Sequence, residues 1–201
     1  MNNIIGIDLV VEDDLSETVL RNILKKSCRP FQVTACYGKK GAPYIKEKIN
    51  GFNNAAKGYP YLVITDLDKT ECAPLLINEW LPYPKHNNLI FRIAIREVES
   101  WLLAHRKAFA EFLGIQQRLI PLNPDELEDP KRKIIELASK SRKREIREAI
   151  VPVFGSTAIK GPDYNGKLAE FVQNTWDVNE AKSNSPSLKR AFDDIMNFNP
   201  V

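Results

Sequence analysis

The strongest constraint on the fold is an alternation, over residues 4 to 95, between short apolar runs and longer amphipathic segments. The apolar runs are rich in β-branched residues and have the length of buried strands. They predict strands at Ile4–Val11, Phe31–Tyr37, Tyr61–Thr65 and Leu89–Ile95. Amphipathic segments between such strands form crossover helices, so we expect an α/β fold with a mostly parallel sheet flanked by helices.

The pattern becomes helical after residue 95. The segment VESWLLAHRKAFAEFLGI predicts one helix, and the charged segment 125–150 a second helical region. Two more helices are predicted at 164–175 and 186–198, the last with Ser185 as its N-cap. The proline-rich segment 114–130 gives no clear pattern. We therefore expect an α/β core over residues 1–104 and a helical C-terminal extension, 105–201, packed on it.

Composition limits the class of protein. Of 201 residues, 43% are hydrophobic and 27% are charged, as in soluble globular proteins, and the net charge of +3 indicates no particular partner. No apolar run approaches the ~18 residues of a membrane span. The N-terminus lacks the regions of a signal peptide. The three cysteines and two histidines show no zinc spacing, so we expect reduced thiols in a cytoplasmic protein with no membrane partner.

Acidic residues follow three of the predicted strands. Glu12 follows the first strand, and the stretch TDLDK places Asp66 and Asp68 after the third. Glu97 and Glu99 follow the fourth. Because the carboxyl ends of parallel strands meet at one edge of a sheet, we expect these five side chains to lie close together.

Carboxylates that lie together repel each other and resist ionisation unless a cation neutralises them. Mg²⁺ prefers oxygen ligands, and two residues spaced i, i+2 on an extended chain, such as Asp66 and Asp68, project to the same side. The pattern predicts a metal site with Glu12, Asp66, Asp68, Glu97 and Glu99 as candidate ligands. The alternative is that these acids only stabilise the N-termini of the helices that follow the strands.

Three stretches, LVVEDDLSE, LVITDLDK and REVESWLLA, resemble the Toprim domain. This domain is the catalytic module of type IA and type II topoisomerases, DnaG-type primases, OLD-family nucleases and small RNA-maturing nucleases. The stretches also resemble stand-alone bacterial Toprim-like proteins, some of them linked to defence against phage. The resemblance covers residues 4 to about 104, and KGPDYN and SPSLKRAF extend it more loosely.

The resemblance implies a metal-dependent nuclease that hydrolyses phosphodiester bonds of DNA or RNA with one or two Mg²⁺ or Mn²⁺ ions, within a bacterial defence or mobile-element system. Glu12 matches the first Toprim glutamate, as a ligand or general base, and Asp66 and Asp68 match the Asp-x-Asp that holds metal. Glu99, or alternatively Glu97, matches the later acidic position of OLD-type sites. Lys160 of KGP would neutralise charge on the phosphate in the transition state, or is a surface lysine.

The chain departs from the OLD pattern after Glu12. Asp13 replaces the usual glycine, Ser16 stands where a second acid is expected, and the acid comes one residue later, at Glu17. A ligand role for Glu17 is therefore in doubt. Asp14 and Glu17 also have the spacing of a capping box at the start of the first helix.

Basic residues offer contacts to nucleic-acid phosphates. The segment from Lys131 to Glu148 contains eight basic and three acidic residues, and GKKG is a second basic stretch. Arg96 would contact phosphate or pair with Glu99. The predicted nucleic-acid residues are Lys39, Lys40, Arg96, Lys140, Arg142, Lys143 and Arg144. The alternative for the basic segment is a solvated helix face held by Lys–Glu pairs.

Two other functions remain open. A non-catalytic Toprim-like module would bind a separately encoded ATPase or another effector, since 201 residues leave no room for the ATPase that OLD nucleases carry. A receiver-like phosphotransfer domain would use Asp66 or Asp68 as phosphoacceptor, but the helical C-terminal half does not fit that class.

Overall fold

A computed structural model of the protein describes residues 4–201. Its strands are β1 (Ile5–Val11), β2 (Phe31–Gly38), β3 (Tyr61–Asp66) and β4 (Leu89–Ala94). They form one four-stranded sheet in the order β2-β1-β3-β4, and every neighbouring pair is parallel. The predicted α/β class with a parallel sheet is confirmed.

Three helices connect the strands, and the rest form the C-terminal half. The connecting helices are α1 (Asp14–Lys26), α2 (Ala42–Ala55) and α3 (Ala73–Trp80). The others are α4 (Glu99–Ala104), α5 (Arg106–Leu113), α6 (Pro130–Ser139), α7 (Arg144–Ile150), α8 (Tyr164–Asn174), α9 (Val178–Ala181) and α10 (Pro186–Asn197).

The two faces of the sheet carry different cores. On one face, α2 and α3 cover the alternate strand residues Val10, Val63 and Phe91. On the other face, α1 and the C-terminal helices bury Leu9 and Leu62 in a single larger cluster. Burial on both faces explains why the strands read as continuous apolar runs.

The tryptophans Trp101 and Trp176 connect α4 with the segment after α8 and with α10. Trp176 Nε1 donates to the carbonyl of Trp101 at 3.0 Å, and Trp101 Nε1 donates to Ser187 Oγ at 2.7 Å. Trp101 is fully buried and Trp176 is 2% exposed. Both satisfy their indole N–H groups inside the core, as buried tryptophans usually do.

The two segments predicted to be helical after residue 95 each contain two helices, so the prediction of one helix for the first segment was wrong in its bounds. The first breaks at His105 (φ −82°, ψ 63°), between α4 and α5. The second is divided by the segment between Ser139 and Arg144, where α6 ends and α7 begins. At the His105 break, ring Nδ1 accepts a hydrogen bond from the backbone N–H of Asp177 at 3.0 Å. A tertiary contact therefore fixes this turn.

The segment that gave no clear pattern, 114–130, contains two 3-10 turns, Gln117–Leu119 and Pro124–Glu126. Asp125 fastens it to the start of α10. Its carboxylate accepts from Ser185 Oγ at 2.7 Å and from the backbone N–H of Ser187 at 2.8 Å. Ser185 Oγ in turn accepts from the backbone N–H of Leu188 at 3.2 Å, which confirms the predicted cap.

Among residues 4–201, no helix has the length and apolarity that a membrane span requires.

Candidate carboxylate site

Backbone contacts at the end of β1 fix the position of Glu12. The chain turns at once into α1, whose N-cap is Asp13: its side chain accepts from the backbone N–H of Ser16 at 2.8 Å. The predicted capping box, with Asp14 as the cap, is wrong by one residue. From the start of α2, the N–H of Gly41 donates to the carbonyl of Glu12 at 3.1 Å.

Gly38 permits this approach of the β2 end to the β1 end. Its φ is +102°, and a Cβ atom there would lie 2.1 Å from the carbonyl oxygen of Val11. The next residue, Lys39, donates its N–H to that oxygen at 2.9 Å. A residue with a side chain would therefore push β2 away from the turn that carries Glu12.

The Glu12 carboxylate is bound to the end of β3. Its Oε1 accepts from the hydroxyl of Thr65 and, at 2.8 Å, from the backbone N–H of Asp66. Burial raises the pKa of Glu12, and these two hydrogen bonds oppose that rise. The contact joins the first acidic position of the sequence to the third strand, as the sequence predicts.

Asp66, the last residue of β3, lies among the acids. Its Oδ1 accepts from the backbone N–H of Val98 at 2.9 Å, which ties it to the chain after β4. Burial, followed by the negative charges of Glu99 and Glu12, holds the pKa of Asp66 well above its usual range. Acids from the ends of three strands thus interact with one another at the same edge of the sheet.

Asp68 is exposed and sits in a left-handed backbone conformation with φ +48°. Its N–H donates to the carbonyl of Arg96 at 2.9 Å. Arg96 Nη1 returns hydrogen bonds to the carbonyls of Asp68 at 3.0 Å and Thr70 at 2.9 Å. Arg96 therefore braces the loop that carries Asp68, and the pairing of Arg96 with Glu99 considered above is not formed.

Glu97 and Glu99 meet a lysine from the helical half. Lys131, at the start of α6, donates its backbone N–H to Glu97 Oε2 at 2.8 Å and its Nζ to Glu97 Oε1 at 2.9 Å. The same Nζ lies 3.8 Å from Glu99 Oε1, and the hydroxyl of Tyr164 donates to that oxygen at 3.2 Å. Burial raises the pKa of Glu99 to about 7, although Lys131 opposes the rise.

Sequence reasoning missed Lys131, Tyr164 and Thr65 as parts of this site. Lys131 appeared only as one charge in a basic segment, and it lies 34 residues from Glu97 along the chain. Tyr164 belongs to the stretch KGPDYN, which was noted without a role. Nothing local in the sequence signals that α6 and α8 fold back onto the strand ends.

Lys160 lies beside the site but does not contact its acids. Its Nζ donates to Asn165 Oδ1 at 3.1 Å and lies 5.6 Å from the centre of the Tyr164 ring. Because Tyr164 contacts Glu99, Lys160 is linked to the acids through one side chain. A role at the phosphate would require its Nζ to leave Asn165.

Several predicted nucleic-acid residues already have partners. Lys39 pairs with Asp14 at 2.7 Å and with Glu17 at 2.6 Å, which also occupies the Glu17 carboxylate considered as a ligand. Lys40 lies 5.5 Å from the centre of the Tyr44 ring. These contacts hold Lys39 against α1 and Lys40 against α2, on either side of the turn that carries Glu12.

Among the predicted basic residues in and beside α6 and α7, two also form ion pairs with acidic side chains. Lys140 pairs with Glu136 at 2.7 Å, and Arg144 pairs with Glu148 at 2.6 Å, both at i, i+4 spacing. Lys143 Nζ donates to the last carbonyls of α5, and Arg142 is exposed. This arrangement is the one expected of a solvated helix face held by Lys–Glu pairs.

A cleft of about 590 Å³ opens next to the acids. Asp68 and Glu97 lie on its wall, together with the bracing residue Arg96. The remaining lining residues are Lys69, Thr70, Glu128 and Asp129. Its volume is within the range of pockets that bind small ligands or one part of a larger one.

A metal ion at this site would need oxygen ligands from the acidic side chains described above. Residues 4–201 include no group of three or more His, Cys, Asp or Glu side chains placed to hold a metal. Glu12 and Asp66 each use one carboxylate oxygen for the hydrogen bonds described above. Mg²⁺ is usually held by one or two carboxylates, with waters and substrate phosphates completing its shell. The described residues thus form no closed cage for a metal, and an Mg²⁺ ion held by Glu12 and Asp66 would need waters and phosphate oxygens for the rest of its shell.

The chain matches no protein-family model, no curated protein and no solved structure. The relation to the Toprim domain therefore rests on the three sequence stretches that suggested it.

Proposed function

We propose that this protein is a divalent-metal-dependent nuclease of Toprim type, which hydrolyses phosphodiester bonds of DNA or RNA at the carboxylate site. One observation carries the proposal: hydrogen bonds join Asp66, at the end of β3, to Glu12 after β1 and to Val98 after β4. Burial at this point, followed by the negative charges of Glu99 and Glu12, raises the pKa of Asp66. Such clustering costs free energy of folding, and an Mg²⁺ or Mn²⁺ ion between the carboxylates would offset it.

Each residue has a role in this proposal. Glu12 and Asp66 would hold the ion, and the exposed Asp68 would reach it from the cleft wall. The bound metal would activate a water and stabilise charge on the phosphate. Arg96 holds the Asp68 loop in place through the carbonyls of Asp68 and Thr70. The cleft beside Asp68 would take the nucleotide next to the scissile bond.

The setting within a bacterial defence or mobile-element system rests on the resemblance to stand-alone Toprim-like proteins. The cytoplasmic location rests on the three cysteines, which show no paired metal spacing. A separately encoded ATPase would then supply what OLD nucleases carry in the same chain.

The test is cleavage of supercoiled DNA, linear DNA and RNA by the purified protein with Mg²⁺, with Mn²⁺ and with EDTA. Asp68→Ala and Asp66→Ala should abolish cleavage without unfolding the protein. Asp193→Ala is the matched control, because it removes a surface acid paired with Lys189 on α10. Cleavage that persists in EDTA, or in both site variants, would contradict the proposal.

A second function, a non-catalytic module that binds a partner protein, is favoured by the loop after α7. Three large apolar side chains are exposed there: Val153 at 65%, Phe154 at 104% and Ile159 at 80%. Exposed apolar side chains grouped in one loop are typical of protein interaction sites. If the folded protein cleaves none of the substrates, that result would favour the partner-binding function over the nuclease.

A further inference from the structure

The start of α6 brings a positive charge into the acidic cluster. Lys131 Nζ lies 2.9 Å from Glu97 Oε1 and 3.8 Å from Glu99 Oε1, so one ammonium group serves two carboxylates. Both acids belong to the part of the site that follows β4. This part of the cluster therefore already contains a cation.

The position of this ammonium is fixed by more than its side chain. The backbone N–H of Lys131 donates to the other oxygen of Glu97, Oε2, at 2.8 Å. Lys131 therefore binds both oxygens of that carboxylate. Asp129 caps the helix by accepting from the N–H of Arg132 at 2.7 Å. Ile134 and Leu137 anchor α6 in the main core. Lys131 thus differs from an exposed ion pair, whose lysine moves freely.

In the other half of the cluster, Lys131 attracts Asp66 through longer-range charge interaction but makes no direct contact with it. Within residues 4–201, Glu12 accepts from the Thr65 hydroxyl and a backbone N–H, and Asp66 accepts from the N–H of Val98. The two halves differ in charge compensation although they share one edge of the sheet. A divalent ion would be attracted to the less compensated half.

We propose that Lys131 is the resident cation of the Glu97–Glu99 half and limits the protein to one divalent ion per chain, held by Glu12 and Asp66. The inference rests on the proposed function and specifies its cofactor. Nucleases with two ions place them about 4 Å apart, each with its own carboxylates. Because Asp68 would reach the ion held by Glu12 and Asp66, the candidate ligands left for a second ion are Glu97 and Glu99, which Lys131 occupies.

The test is a titration of the full chain with Mn²⁺, after removal of metals, followed by electron paramagnetic resonance of free and bound Mn²⁺. Wild type should bind one ion. Lys131→Gln keeps a hydrogen-bond donor for Glu97 but removes the charge, so it should bind a second ion and show the signal of two coupled Mn²⁺ ions. Lys131→Arg, which keeps the charge, should bind one.

The matched control is Lys133→Gln, which removes a lysine from the same helix that pairs with Glu136 away from the site. It should bind one ion. Wild type that binds two ions would overturn the inference and leave the proposed function standing, even if the Gln variant did not fold. A folded Lys131→Gln variant that still binds one ion would also overturn it. Wild type that binds none would overturn both proposals.

Discussion

Asp66 combines conditions that each raise the free energy of an ionised carboxylate. It is half-buried, and the charges that raise its pKa most, those of Glu99 and Glu12, are also negative. A fold selected only for stability would place a neutral side chain here, because polar groups of the same shape avoid the charge repulsion. A costly charge at the end of a strand is typical of a functional site.

Asp66→Asn should therefore stabilise the metal-free protein. The Asn side chain keeps the oxygen that accepts from Val98 but removes a charge. We expect a higher free energy of unfolding than that of wild type at neutral pH, because the substitution removes a charge that is held close to the charges of Glu99 and Glu12. Chemical unfolding in EDTA measures it. The variant should also lose the stabilisation that Mn²⁺ gives wild type, and a variant less stable than wild type in EDTA would contradict this account of Asp66.

Glu99 should make stability depend on pH. Its pKa is raised in the folded protein from 4.5 to about 7, so the folded state binds the proton more tightly than the unfolded chain does. The stability from this group is complete below pH 4.5 and is lost as the pH rises to about 7. The stability of Glu99→Gln relative to wild type should therefore increase across this range, measured by unfolding in EDTA.

Glu136→Gln is the control for that experiment. Its hydrogen bonds with Lys133 and Lys140 lower the pKa of Glu136 from 4.5 to about 2. Its contribution to stability therefore changes below pH 4.5 and not in the range where Glu99 titrates. A constant difference between Glu99→Gln and wild type from pH 4.5 to 7 would rule out the raised pKa of Glu99.

The acids of the site could be predicted from the sequence, but their partners could not. Glu12, Asp66 and Glu99 follow from one rule, that parallel strands end at one edge of the sheet. The position of Lys131 depends on how α6 packs, and that is set by contacts far away along the chain. The same holds for the basic residues, because counting charges does not reveal that Lys140 and Arg144 already have acidic partners.

For the helices and strands as well, some features follow from the local sequence and others depend on tertiary contacts. The predicted strands lie within one residue of their observed bounds, because burial on both faces of the sheet produces a continuous apolar run in the local sequence. The break between α4 and α5 was missed because hydrophobic periodicity continues through His105. What ends α4 there is its tertiary setting, including the hydrogen bond from Asp177.

Asp125 should be important for the packing of the elements. Its carboxylate holds Ser185 Oγ and the N–H of Ser187, and so joins the second 3-10 turn to α10. Asp125→Ala leaves these donors without their partner, which should cost about 1–3 kcal/mol of the free energy of unfolding. Denaturant unfolding measures the loss.

Asp193→Ala provides the comparison on α10. Asp193 pairs with Lys189 at 2.6 Å, and its side chain is 46% exposed, so its removal should change stability by less than about 1 kcal/mol. Equal effects of the two substitutions would show that the Asp125 network does not hold α10.

At the scale of the whole molecule, the predicted core and extension share one hydrophobic cluster. Residues of β1, such as Leu9, belong to the same cluster as Phe171 of α8 and Ile195 of α10. Asn22 of α1 also donates to the carbonyl of Val172 at 2.8 Å. The helical half is therefore part of the structural unit that forms the site, and it supplies Lys131 and Tyr164 to the acids.

We expect the full chain to unfold in one cooperative transition, because neither half could keep this cluster buried without the other. Urea unfolding followed by tryptophan fluorescence and by far-ultraviolet circular dichroism should give the same midpoint. Two separate transitions would indicate that residues 1–104 and 105–201 are independent domains.

The central claim is that Glu12 and Asp66 hold a divalent cation. The most direct measurement is anomalous X-ray scattering at the manganese edge from crystals grown with Mn²⁺. The account predicts one peak per chain, within the roughly 2.2 Å of a metal–oxygen bond from carboxylate oxygens of Glu12 and Asp66. Crystals containing Mn²⁺ with no peak at these carboxylates, or with peaks only elsewhere on the surface, would contradict it.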